Sequence, residues 1–145
     1  MENYCKEFKI QKNDIGNAGT VASLTKRELK RRGLTRDFVK TVTIGIYEAE
    51  INVVIHSYGG TCEVCIDDKY VNVTFKDNGP GIECIDSALT PGFSTASHYA
   101  IENGFGAGMG LPNIKSVSDE MELTSSKEGT TLHMKFNISG DSYES

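Results

Sequence analysis

Apolar and polar positions along this chain follow two periods, and the switches between them mark out its elements. Tyr4 to Ile10 has the short alternation of a strand, and Asp14 is placed to cap the helix that follows. In that helix Ala18, Val21, Ala22 and Leu29 fall on one face, Lys26, Arg27, Lys30, Arg31 and Arg32 take the rest, and Gly33 ends it. The basic residues read as a solvated face, with an acidic partner as the other reading. Thr35 caps a longer helix reaching to about Ser57, where Val42, Ile46, Ala49 and Val53 make an apolar stripe fit to press against a sheet.

The adjoining stripe of that helix differs. Thr41, Gly45, Glu48, Asn52 and His56 recur at helical spacing and share a face. A carboxylate and a carboxamide one turn apart, on a helix otherwise rich in Ile and Val, are costly to bury unpaired. That face is expected to line a site.

Gly59 and Gly60 break the helix, and strands are predicted over Thr61 to Ile66 and Tyr70 to Lys76. In the second, Val71, Val73 and Phe75 point one way, and the same parity carries Asp77 to the apolar side at the strand's end. An inward carboxylate there suits a partner such as an exocyclic amine, although DNG is also ordinary surface-turn sequence. After a short helical piece from Ile82 to Ala88, the stretch Thr90 to Gly104 has little periodicity and reads as a mobile lid. A helix from about Leu111 and two strands close the chain. In the last of these Leu132, Met134 and Phe136 point inward and bring Thr130 with them, while the tail from Ser139 is expected to fray.

Composition narrows the picture. The chain has 145 residues with 38% hydrophobic content, enough for one domain over 1–145 with its own core. A net charge of -5 argues against nucleic acid as a partner. No apolar run approaches the roughly 20 residues of a membrane helix, and the polar start is no signal peptide, so a cytoplasmic protein without a membrane partner is expected. Four cysteines, Cys5, Cys62, Cys65 and Cys84, are then expected as free thiols. Cys62 and Cys65 form a CxxC, but on a strand positions three apart face opposite ways, which disfavours a metal pair.

Chemistry concentrates between Asp77 and Gly110. DNGPGI opens the stretch and GFGAGMG closes it, running straight into LPNIK. Glycine backbone there can approach a ligand closely, and a helix start offers unpaired N–H groups to an anion. A nucleotide is the ligand this pattern suggests.

In order along the chain stand ExxxN (Glu48, Asn52), DxGxG (Asp77, Gly79, Gly81), a second glycine box (Gly106, Gly108, Gly110) and a Gly129–Thr130 pair. Each is weak alone, but four in this order resemble the GHKL, or Bergerat, ATP-binding superfamily. The resemblance implies an α+β two-layer sandwich: a mixed, mostly antiparallel sheet with helices on one face and an ATP lid. Length, with EAEINVVIHSYG, PGFST and GMGLPNIK, brings the chain nearest to the anti-sigma serine kinases and stress switch kinases.

The same resemblance implies roles. Glu48 is the base for a substrate hydroxyl and Asn52 the ligand for Mg²⁺. Asp77 accepts from the adenine amine, Gly81 lies against the base, and Thr130 binds near it. Gly79, Ile82, Gly104, Gly106, Ala107, Gly108, Met109, Gly110 and Leu111 complete the nucleotide contacts. The implied reaction is ATP-dependent serine/threonine phosphorylation of a STAS-domain antagonist, leaving ADP, with a sigma factor as a further partner and a homodimer as the family's habit. One departure stands out: Thr90 through Gly110 holds no Lys or Arg, although phosphoryl transfer commonly uses a cation. Lys115 is a candidate for it, whereas His98 reads as a solvent-facing loop residue. That lack supports the competing reading, a nucleotide-dependent binding module without phosphoryl transfer.

Overall fold

The computed structural model describes residues 2–79 and 110–145. Strand β1 (Tyr4–Ile10) leads through a 3-10 turn (Ile15–Asn17) to helices α1 (Thr20–Arg31) and α2 (Arg36–His56). Strands β2 (Gly60–Ile66) and β3 (Tyr70–Asp77) follow, and the second described stretch holds helix α3 (Gly110–Val117) with strands β4 (Glu120–Ser126) and β5 (Gly129–Asn137). The lid, the helical piece before it, Cys84, His98 and the residues from Gly81 to Met109 assigned to the nucleotide lie outside the described residues.

The strands form one five-stranded sheet in the order β1-β2-β3-β5-β4. Every pairing among them is antiparallel, so the mixed component expected of the sheet is not found among the described residues. Two of the joins are short hairpins, which make neighbours antiparallel. Alternation sorts the two faces. Cys62, Val64 and Ile66 of β2, Val71, Val73 and Phe75 of β3, and Leu132, Met134 and Phe136 of β5 turn toward the helices and are buried. The outer face is polar, and register lines it up in rows such as Glu7, Glu63, Thr74, His133 and Glu122. His133 accordingly sits outside, its Nε2 3.1 Å from Asn72 Oδ1.

Helix α2 is the spine of the second layer. Thr35 Oγ1 accepts from Phe38 N at 3.2 Å, the cap expected of it. Val42, Ile46, Ala49 and Val53 are buried against the sheet. Burying such side chains is worth about 1.5–3 kcal/mol each, which makes this stripe the main attachment between layers. At the far end Ser57 Oγ donates to Val53 O at 2.6 Å and accepts from Gly59 N at 3.0 Å. Gly59 then takes φ +98° and turns the chain into β2.

Four expectations are corrected. Asp14 does not cap α1: it precedes the 3-10 turn and accepts from Asn17 Nδ2, while Gly19 at φ +99° is the N-cap. Arg32 is not part of the solvated basic face, for it is only 6% exposed and donates through Nη1 to Glu2 O at 2.7 Å. Nor does the tail fray. Ser142 O accepts from Thr35 N at 2.7 Å, Glu144 N donates to Gly33 O at 2.8 Å, and Tyr143 pairs with Leu34, so the tail clasps the α1–α2 connection.

The fourth concerns the thiols. Cys5 and Cys65 are joined in a disulfide, because register sets them opposite each other on the outer face of β1 and β2 with 4.1 Å between Cα atoms. Attention to CxxC alone missed a pairing across 60 residues. The opposite-face argument holds, since Cys62 is free and buried in the core, where burial pushes its thiol pKa far up.

Candidate functional site

At the end of β3, strand parity and turn chemistry act on the same residue. Asp77 Oδ1 accepts from Gly79 N at 3.0 Å, an Asx turn, and from Thr130 N at 2.9 Å at the start of β5. The two readings of Asp77 therefore merge: it is a turn residue whose carboxylate also reaches across to a second strand. Its other oxygen takes neither of these bonds. Glycine makes the junction possible. Gly79 sits at φ +90°, and a Cβ there would come within 3.0 Å of Lys127 O, while a Cβ on Gly129 would collide with the Asp77 carbonyl. Thr130 Oγ1 pairs with Ser125 Oγ of β4 at 2.9 Å, while the backbone N–H of the same residue holds the Asp77 carboxylate.

On α2 the polar stripe separates into two parts. Gly45 belongs to packing: a Cβ there would meet Phe136 at 3.0 Å and Val117 at 3.3 Å, so it lets α2 approach β5 and α3. Thr41 bonds its own helix, donating to Asp37 O. Burial holds the His56 imidazole below its ordinary pKa. Glu48 and Asn52 both turn to the start of α3. A Cβ on Gly110 would come within 3.1 Å of Asn52 Oδ1 and 3.4 Å of Glu48 Oε2. The last glycine of the second box thus rests directly on the acid and amide pair.

Leu111 is partly buried at the head of α3, packed against the core, and Ile114 is fully buried one turn later. Lys115 is exposed in the last turn of α3.

Two residues escaped the sequence reading. Asn113 Nδ2 donates to Glu48 Oε1 at 3.5 Å, linking α3 to α2; an amide three residues after Gly110, on the same helix face, was the available signal. Glu50 is only 3% exposed and accepts from Val21 N and Ala22 N, each at 3.2 Å. It serves as a cap for α1 supplied from another helix. An acid one turn after Ile46, inside the apolar stripe, was its signal.

Comparison with known proteins places these features in context. The model of the histidine kinase-like ATPase domain matches residues 12–136. Anti-sigma F factors of Bacillus thuringiensis (strain Al Hakam) and Bacillus anthracis (strain CDC 684 / NRRL 3495) are each 34% identical over 103 residues, covering 66% of this chain and 65% of theirs. The match thus spans slightly less than two thirds of those relatives. Among solved structures, the RsbU and RsbW domains of a Mycobacterium tuberculosis protein superpose with a TM-score of 0.65 at 15% identity, covering 98% of this chain and 35% of that one. The SiaB–SiaC complex from Pseudomonas aeruginosa gives 0.59 at 13% identity, with 90% and 88% covered. At those identities the likeness is one of fold.

Proposed function

We propose a function for a chain that belongs to the family of histidine kinase-like ATPase domains: it binds ATP and passes the γ-phosphoryl group to a serine or threonine of a partner protein. The partner is a STAS-type antagonist, and the chain acts as an anti-sigma or partner-switching regulator. Similarity to anti-sigma F factors supports that choice of partner.

The observation that carries the nucleotide reading is Asp77: two backbone N–H groups fix one carboxylate oxygen and so set the direction of the other, which in this reading accepts from an exocyclic amine. Thr130, oriented by Ser125, stands next to it. At the other end, Glu48 takes the proton from the acceptor hydroxyl. That oxygen then bonds to the γ-phosphorus as the bond to the β–γ bridging oxygen breaks and ADP leaves. Asn52 fits a metal role, for its amide carries an oxygen donor and lies against the residue 110 backbone, where an added Cβ would meet Oδ1 at 3.1 Å and Nδ2 at 3.2 Å. Mg²⁺, when bound, would neutralise phosphate charge. The chain's own part is to aim Glu48, keep the residue 110 backbone close, and hold the base at Asp77.

The test uses purified chain, γ-labelled ATP, Mg²⁺ and a candidate STAS-domain partner protein. Label on a serine or threonine of that protein is the expected result. A raised melting temperature with MgATP but no labelled product would instead establish the nucleotide-dependent binding module. No thermal response to any adenine nucleotide would end both readings.

A further inference from the structure

We propose that Asn113 is a positioning residue for Glu48; this rests on the kinase reading above and adds a residue to its chemistry. The two oxygens of Glu48 are in different surroundings. Oε1 is met by the Asn113 amide at 3.5 Å, from a helix 65 residues away in sequence. Oε2 lies on the side of Gly110, where an added Cβ would come within 3.4 Å of it. A neutral donor on one oxygen leaves the other as the acceptor for a substrate proton and sets the direction in which it points.

The local structure makes Asn113 suited to this. Ile114 is fully buried and fixes the rotation of α3 about its axis. Gly110 and Asn113 are three residues apart and share the face turned to α2. Asparagine is a poor residue for a helix interior, because its amide competes for backbone partners. Here the amide is instead directed across the helix interface. A glutamate has several rotatable bonds, while a base must be held to roughly 0.5 Å and 10–20° to be productive. A donor at 3.5 Å is a loose guide, and catalytic hydrogen bonds of this kind tighten in the loaded complex. Glu48 is thereby aimed through α3, the helix that begins where the glycine segment ends.

The experiment compares the wild type with Asn113→Leu, which keeps size and removes the donor, and Asn113→Asp, which sets a second carboxylate beside the first. Turnover of MgATP with water as acceptor is measured across pH, and MgATP affinity is measured separately by calorimetry. The Glu48 side-chain carboxyl is titrated by carbon NMR, assigned with Glu48→Gln. We expect both variants to keep MgATP affinity within about 2-fold and to lose about 10- to 100-fold in turnover at saturation. Asn113→Asp should also move the acid limb of the rate profile, and the Glu48 titration with it, upward by about one pH unit.

Unchanged turnover together with an unmoved titration would overturn the proposal. If the wild type labels no partner protein in the assay above, the kinase reading fails by itself; if it turns over no MgATP with water as acceptor, only the rate readout is lost. The titration then decides alone: an upward move in Asn113→Asp sustains the coupling to Glu48, and a fixed midpoint overturns it. Should Asn113→Asp not fold, the turnover of Asn113→Leu at unchanged affinity decides in its place.

Discussion

Glu48 and Glu50 stand two residues apart on α2 and face opposite sides of it. Each meets the start of a neighbouring helix, but in different ways. Glu50 is buried and faces α1, where Val21 N and Ala22 N donate to its two oxygens. Glu48 is half-buried and faces α3, with one long contact from Asn113 and a glycine beside its second oxygen. A carboxylate whose lone pairs are taken by backbone N–H groups is a structural cap; one that meets a single amide among the described residues keeps lone pairs for another donor. The same helix thus carries a joint on one side and a candidate reaction centre on the other. Asp77 lies between the two extremes, with one oxygen committed to two backbone N–H groups and the other outside both of those bonds.

The sharpest way to break this contrast is Glu48→Gln. Removing a general base costs about 10²- to 10⁴-fold in rate, so phosphoryl transfer should fall by that much. MgATP affinity should stay within about 2-fold and the melting temperature should hold. A large drop in melting temperature with transfer intact would reverse the two roles. Asp77→Asn comes next. It keeps an acceptor for Gly79 N and Thr130 N but turns an amide N–H toward the adenine amine. Losing a hydrogen bond to a charged group is worth about 1.5–3 kcal/mol, so calorimetry should show adenine-nucleotide affinity weaker by roughly 10- to 100-fold.

How much of this was legible in the sequence follows from the same residues. Period-2 alternation named the inward sets of β3 and β5, and so the direction of Asp77 and Thr130, because a half-buried antiparallel strand leaves side chains only two faces. Helical spacing put Glu48 with Asn52 on one face of α2, but that Gly110 lies against them comes from the fold. Contacts between distant elements were not legible. The Cys5–Cys65 bond depends on the register between β1 and β2. The clasp of the tail on Gly33 and Thr35 depends on where the end of β5 leaves the sheet. Glu50 was missed because an acid next to Ala49 and Ile51 finds its partners 28 and 29 residues earlier, on a helix whose start the pattern placed too early.

On the structural side of the contrast, Glu50→Ala should act on stability alone. It strips the acceptors from Val21 N and Ala22 N, and an orphaned buried donor costs about 1–3 kcal/mol. Chemical denaturation should register a loss of about 3 kcal/mol, with MgATP turnover per folded molecule unchanged. Loss of turnover without loss of stability would place Glu50 in the reaction centre instead.

Glu50→Gln is the mildest change and tests what the buried charge itself does. Burial raises the Glu50 pKa, and the backbone donors at the start of α1 offset only part of that rise. The folded state therefore holds this proton more tightly than the unfolded chain, where glutamate titrates at about 4.3. Stability contributed by Glu50 is fully present below the unfolded value and is lost as pH climbs through the raised folded value. Cys62 and Tyr47 lie within reach of its field, but burial raises their pKa values too, so both stay neutral across this range. Glutamine cannot ionise and keeps one acceptor oxygen. The variant should gain on the wild type as pH rises above about 4, with the melting-temperature difference levelling off once the folded carboxyl has ionised. A wild type that gains on the variant over the same range would mean that the donors at the start of α1 outweigh burial, and that the joint is built on charge.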